Sequence, residues 1–192
     1  MERDKWKQPL PWAGMVAVVA AAAVVLHLQG RLWRSASGRV LFWAGDAWSS
    51  DTSQHLFDPY SFTHLLHGVM FCGLLALVVP RLAPVWRLFL GVLLEAGWEV
   101  IENSSFVIRR YREATASLGY EGDTVVNSVG DIVACALGLV LAWRLGWRRS
   151  ILLVVVVEAA LLVLIRDSLL LNIVMLIYPL DWIKEWQAGA HH

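Results

Sequence analysis

The sequence predicts an all-α fold: a polytopic membrane helix bundle of about five spans, followed by a short C-terminal helix that re-enters or lies in the interface. Three observations carry that prediction. First, the 192 residues are 58% hydrophobic and 17% charged, whereas soluble domains run near one-quarter charged. Second, several near-uncharged stretches approach the roughly 20 residues that cross a bilayer, and the mean hydropathy is +0.57. Third, there are eleven tryptophans, a residue enriched where membrane meets water. The same figures exclude a collagen, a disordered tail, a disulfide-rich secreted module and an ordinary cytosolic domain. Sixteen basic residues balance sixteen acidic ones, so no global basic field points to nucleic acid. Cys72 and Cys135 both lie in apolar runs and read as packing residues.

The first span covers about 11–29, with Pro11 near its start, where a missing N–H costs nothing. Its apolar run is too long, and lacks the small-residue cleavage site, for a signal peptide. The second covers 61–79 and is closed by Pro80-Arg81. The third, 86–108, carries carboxylates in its second half. The fourth covers 124–143, closed by Arg144, and the fifth 150–165, closed by Arg166-Asp167. The stretch 168–179 is apolar but its core, Leu169 to Tyr178, reaches about 15 Å, half a bilayer, and Pro179 stops it. No repeat or low-complexity tract divides the chain, so residues 1–192 form a single membrane domain. Arg3, Lys5, Lys7, Arg81, Arg87, Arg144, Arg148 and Arg149 fall on one side, and an equal number on the other. The two tightest loops, Arg81–Arg87 and Arg144–Arg149, hold bases and no acids, which sets the N-terminus in the cytoplasm.

In that arrangement the polar residues within the spans gather at the outer side. His64 and His67 open the second span, and Glu95, Glu99 and Glu102 occupy the later half of the third. Asp123, Asn127 and Asp131 open the fourth, while Arg166 and Asp167 end the fifth. At 100° per residue the three glutamates fall within an arc of about 60°. A charged side chain at a helix centre costs roughly 2.5–3.5 kcal/mol on insertion scales, so three facing lipid would approach about 10 kcal/mol. They must therefore face one another, a partner, a cation or water.

Four segments, SFTHLLHG, EAGWEVIENS, YEGDTVVNSVGDI and IRDSLLLNIVMLIYPLDWIKEWQ, resemble a bacterial family of integral membrane proteins known as domain of unknown function 2585, or uncharacterised protein family 0314. The resemblance covers most of the chain beyond the first span. It implies a bacterial inner-membrane protein and carries no established activity. A more distant likeness is to VanZ-like membrane proteins, with their D…H segment, glutamate helix and D…N…G helix. Asp58, His64, Glu99, Asp123, Asn127 and Gly138 stand where those residues would. VanZ is linked to glycopeptide-antibiotic tolerance, which implies envelope work. The paired His64/His67 and the extra Glu102 depart from that pattern, so no mechanism carries over.

Each candidate has a structural reading beside its functional one. His64 and His67, at i and i+3, are metal ligands together with Glu99 and Asp131, or a histidine pair hydrogen-bonded to carboxylates. A divalent metal is thus one cofactor the pattern admits. Glu99 and Glu102 are the leading catalytic candidates; their structural alternative is an ion-pair network with Arg109, Arg110 or Arg166. Glu95 is a proton relay or a neutral hydrogen-bonded acid. Asp123, after Gly122 and ahead of a helix, is an N-cap as readily as a catalytic group. Asn127 and Asp131 lie inside the helix and cannot cap it. Asp58 before Pro59 reads as a helix start, Asn103 and Ser104 as partners for loose carbonyls, and Gly68 as a close helix contact. Arg109, Arg110 and Arg112 are interfacial anchors or docks for an anionic headgroup, as is Arg166, with Asp167 beside it. Glu158 stands alone in mid-span, and His191-His192 reads as residual tag.

The function this predicts is an envelope enzyme acting on a lipid or lipid-linked substrate. Glu99 or Glu102 would be the base, Asp123 or Asp131 a proton holder, and His64/His67 a polarising or cation-holding pair. Asn127, Glu95, Arg109, Arg166 and Asp167 would bind substrate. Two alternatives stand against it: a small proton-coupled transporter, which needs a polar path through the inner half, and an accessory subunit, which predicts a dry, fully paired cluster.

Overall fold

The computed structural model describes residues 6–116 and 119–189; Arg3, Lys5 and His191-His192 lie outside them. Among the described residues there are eight helices and no strand. Five are 18–21 residues long: α1 (Pro9–Leu28), α2 (Ser61–Val78), α3 (Pro84–Glu102), α5 (Val125–Leu145) and α6 (Trp147–Ile165). Three are short: α4 (Ser105–Ala114), α7 (Leu169–Ile177) and α8 (Asp181–Ala188). By length and composition α1, α2 and α5 are apolar enough to cross a membrane.

Prolines in the first turns of α1 and α3 start those helices where an N–H has no partner to lose. The bundle closes on an apolar core of Met15, Ala22, Leu75, Val85, Leu88, Val92, Ala96, Ile132 and Leu139. Glycines set its tightest seam. A Cβ at Gly68 would collide with the Cys135 carbonyl oxygen, and one at Gly138 with that of Leu65. The backbones of α2 and α5 therefore touch, running parallel, which is the small-residue packing expected of Gly68. The α3 helix runs antiparallel to both, with Gly91 against the Leu139 side chain. The α1 helix lies alongside α3, tied at its far end by Gln29 Nε2 donating to the Val100 carbonyl (3.2 Å).

Two boundaries differ from the sequence reading. The segment 86–108 is not one helix: α3 ends at Glu102, Asn103 caps it, and Ser104 begins α4 by accepting from the Val107 N–H (3.4 Å). A polar Asn-Ser pair thus ends one helix and starts another, overriding the apolar residues that follow. The C-terminal segment 168–179 is likewise not the last element. The α7 helix stops at Ile177, and the amphipathic α8 follows Pro179.

Glu158 gains a role here. Its two carboxylate oxygens accept from the Leu169 and Leu170 N–H groups (3.1 and 3.2 Å), capping α7 from the flank of α6. The turn between them passes through Arg166 in the left-handed region, φ 51°. Apart from Trp98, which lies within α3 against the His67 ring, the tryptophans sort to the two ends of the long helices. Trp6, Trp12, Trp86, Trp143 and Trp147 sit at one end, and Trp33, Trp43, Trp48, Trp182 and Trp186 belong to segments at the other.

Candidate functional site

The end of the bundle bearing the second set of tryptophans holds a cavity of about 910 Å³. Its upper walls come from residues 30–32, 35–37, 47–54 and 119–124, and its deeper walls from Tyr60, His64, Glu102, Tyr111, Asp131, Asp167 and Asn172. Exposed loop residues such as Gly30, Ala36 and Ser50 share it with buried His64 and Asp131, so it reaches the surface.

Beneath it, α2 and α3 meet through histidine and carboxylate. His64 Nδ1 lies 2.6 Å from Glu95 Oε1, and His67 Nδ1 lies 3.0 and 3.1 Å from the two Glu95 oxygens. Glu95 is therefore a shared acceptor for both histidines. Glu99 Oε1 stands 3.2 Å from the same His64 nitrogen. That nitrogen is committed to Glu95, and neither Glu99 oxygen makes a hydrogen bond among the described residues, although Glu99 is 0% exposed. Glu102 is the Tyr111 hydroxyl's partner and keeps Oε2 unpartnered. Asp131, from α5, pairs with the Ser61 side chain and keeps Oδ1 unpartnered, its Oδ2 lying 4.0 Å from His64 Nε2.

Asp123 does not cap α5. Thr124 does, its hydroxyl accepting from the Asn127 N–H (3.3 Å), because the residue one step nearer the helix has the extended backbone an N-cap needs. The Asp123 carboxylate instead accepts from Asn103 Nδ2 (2.7 Å) and the Tyr120 hydroxyl (3.0 Å), while Asn103 Oδ1 accepts the Asp123 N–H (2.7 Å). Burial, with Asp123 and Glu102 close by, pushes the Tyr120 hydroxyl well above the ordinary tyrosine range, so it remains a donor. Asn103, which also donates to the Glu99 carbonyl (3.1 Å), satisfies a loose carbonyl as its position implied.

Asp167 lines the far wall. It accepts from the Ser168 N–H (2.8 Å) and from the Tyr60 hydroxyl (3.2 Å), and burial pushes its carboxyl up to about 7. Asp58 forms the turn ahead of α2, accepting from the Ser53 and Tyr60 N–H groups (both 2.7 Å); burial raises it too.

The structure thus brings His64, Glu102, Asp123, Asp131 and Asp167 to one cavity, with Glu95, Glu99 and His67 directly behind His64. It does not bring the others there. Asn127 donates to the His55 carbonyl (2.9 Å) and holds a loop. Arg109 is exposed on α4, Arg110 donates to the Leu176 carbonyl (2.9 Å), and Arg166 donates to the Trp186 carbonyl (3.0 Å) while lying over its ring. The ion-pair network between these arginines and the glutamates is not formed; histidine takes their place. Arg31 is the Lys or Arg that lines the cavity among the described residues, and it donates to the Glu121 carbonyl. Nothing local marks Arg31 in the sequence, since its neighbours across the cavity lie about ninety residues on.

Two donor groups could hold a metal ion: His64 with His67 and Glu95, and His64 with Glu99 and Glu102. The predicted set of His64, His67, Glu99 and Asp131 does not converge as one, because Glu95 takes His67.

The model of a family described as protein of unknown function DUF2585 matches residues 26–189. A UPF0314 protein of Paracoccus denitrificans is 46% identical over 178 residues, 93% of this chain and 92% of its own length. One from Rhizobium meliloti is 41% identical over 188 residues (97% and 95%), and one from Sphingopyxis alaskensis 40% over 179 (93% and 95%). The VanZ likeness has no counterpart among these relatives. No solved structure matches the fold.

Proposed function

This chain belongs to the family of unknown function DUF2585, or UPF0314, and from that premise we propose that it is a bacterial inner-membrane enzyme acting on a lipid or lipid-linked envelope substrate by acid–base chemistry. In this reading residues 1–192 form one membrane domain, α1, α2, α3, α5 and α6 are the five spans, and the cavity opens at the outer leaflet with the N-terminus in the cytoplasm. At 19 residues each, α3 and α6 reach about 28 Å, close to the hydrocarbon thickness.

One observation carries the proposal: an open cavity whose depths are titratable and whose surroundings are greasy. Its volume of about 910 Å³ falls in the range of small-molecule sites, room for a headgroup. Leu32 on its wall is exposed, as are Trp33, Phe42, Trp43 and Phe62 in the segments adjoining the lining residues, and Leu170, Ile177 and Trp182 on the α7–α8 side. Apolar side chains at that level suit acyl chains at a membrane interface.

Within the cavity Glu102 is the base, since it lines the chamber and its buried Oε2 has no hydrogen-bond partner among the described residues. Asp131 holds the proton for the leaving group, and His64, oriented from behind by Glu95, polarises the substrate. Asp123 and Asp167 bind polar headgroup atoms, with Arg31 rather than Arg109 or Arg166 as the neighbouring cation. Below Glu95 the helices close on Leu88, Val92 and Leu139, which favours a blind chamber over a transport path. The unpartnered carboxylates favour chemistry over a purely structural cluster.

The test is a lipid and lipid-linked glycan profile of a host strain lacking the gene, complemented with wild type or Glu102→Gln. The deletion and the Glu102→Gln strain are expected to accumulate the same precursor, which wild type removes. Full restoration by Glu102→Gln would end this assignment.

A further inference from the structure

His64 stands at the junction of two constellations, each with donor atoms within 4.8 Å of one another, and their hydrogen bonding tells them apart. In the first, Glu95 accepts from the Nδ1 atoms of His64 and His67 at 2.6–3.1 Å. That set is complete without an ion. In the second, His64 faces Glu99 and Glu102, and three of the four carboxylate oxygens have no hydrogen-bond partner among the described residues, with Glu99 0% and Glu102 8% exposed. Buried carboxylates without donors are among the least favourable groups a protein can hold, and they call for a cation or shared protons.

Asp131 approaches the same place from α5. Its Oδ1 is unpartnered, and its Oδ2 is 4.0 Å from His64 Nε2. That gap is too wide for a hydrogen bond, and a small closing of it would bring both atoms within the roughly 2.0–2.2 Å reach of one ion. Glu95 completes the logic from behind. By accepting the Nδ1–H it leaves the His64 Nε2 lone pair free on the Asp131 side, the arrangement that orients histidine ligands in metal sites.

We propose that His64, Glu99, Glu102 and Asp131 form a divalent-cation site at the floor of the cavity, with Glu95 as the group that orients His64 and His67 outside the ligand set. One imidazole and three carboxylates suit Zn²⁺, Mn²⁺ or Fe²⁺ rather than a soft cation. His64, Glu102 and Asp131 line the cavity, so the ion would keep a face open to water or substrate. This site goes beyond the lipid-enzyme reading and does not depend on it; where an ion is bound, it would take over the polarising role given there to His64 and hold Glu102 and Asp131 as ligands rather than as free acid and base.

The test uses full-length protein without a histidine tag, purified in detergent, stripped with chelator and titrated calorimetrically with Zn²⁺, Mn²⁺ and Mg²⁺. The expected result is one equivalent of Zn²⁺ or Mn²⁺ per chain. Glu99→Gln and His64→Gln should weaken it by about 100-fold or more, while His67→Gln keeps the stoichiometry. Co²⁺-loaded wild type should show a ligand-field spectrum that changes in His64→Gln. The proposal is overturned if folded wild type binds none of these ions, or if a folded Glu99→Gln binds them as wild type does. Where the variants do not fold, the wild-type stoichiometry and Co²⁺ spectrum decide. Metal binding without lipid turnover would leave this site standing and remove the enzymatic reading alone.

Discussion

The two halves of α2, α3 and α5 obey opposite rules. Toward one end the three helices meet through Leu75, Val85, Leu88, Val92 and Leu139, buried apolar residues that fill space. Toward the other, the same three meet through His64, His67, Glu95, Glu99 and Asp131, where carboxylate oxygens lack donors. The apolar half and the glycine seam fix the backbones, so the polar half can hold groups that packing alone would select against. Close apolar packing and unmet carboxylates are thus segregated along each helix, the pattern expected where a candidate site departs from local rules.

Four substitutions would break or sharpen that contrast. The largest effect is expected at the seam. Gly68→Val would push α5 off α2, because its new atoms meet the Cys135 carbonyl rather than a movable side chain. No folded protein should survive detergent extraction, as judged by size-exclusion chromatography. Next, Glu95→Leu strips both histidines of their acceptor, and breaking a buried pair costs about 3–5 kcal/mol. Thermal unfolding should register that as a large fall in midpoint. A smaller change of opposite sign belongs to Glu99→Gln in metal-free protein. Replacing a buried, unpartnered carboxyl by a neutral group of the same shape should stabilise the fold by about 1–2 kcal/mol, and a lower midpoint than wild type would contradict the unpartnered geometry.

The last effect is a change of slope. Burial raises Asp167 from 3.8 to about 7 in the folded state, so the fold favours its protonated form. Its contribution is fully present below about pH 4 and fades as pH rises through 7. Asp167→Asn, neutral throughout, should therefore gain on wild type between pH 5 and pH 8 in paired melting curves. Parallel curves would show that Asp167 is not buried as described.

Much of the polar half was legible in the sequence because helical spacing is local. Glu95, Glu99 and Glu102 share a face by arithmetic, and all three are buried toward α2 or the cavity. What the sequence could not supply was the partner of each group. His67 shares a face with His64, yet Glu95 lies deeper and claims it, a fact set by the relative height of two helices. Asn103 and Ser104 were each visible as end-of-helix residues, but the apolar Phe106–Ile108 beyond them disguised the boundary. Arg31, Tyr111 and Tyr120 reach the cavity from segments whose position depends on loop closure, and no periodicity reports that. Glu158 looked isolated for the same reason, because its partners are the first amides of a helix that turns back beside it.

Packed helices usually slide by letting interdigitated side chains change neighbours. Where Gly68 and Gly138 bring two main chains together, no such layer exists to rearrange. The α2–α5 pair must then travel as a single rigid strut, carrying His64 and Asp131 at a fixed separation. Any widening or narrowing of the entrance falls to its other walls: the short α4 and α7, and the long connection between α1 and α2.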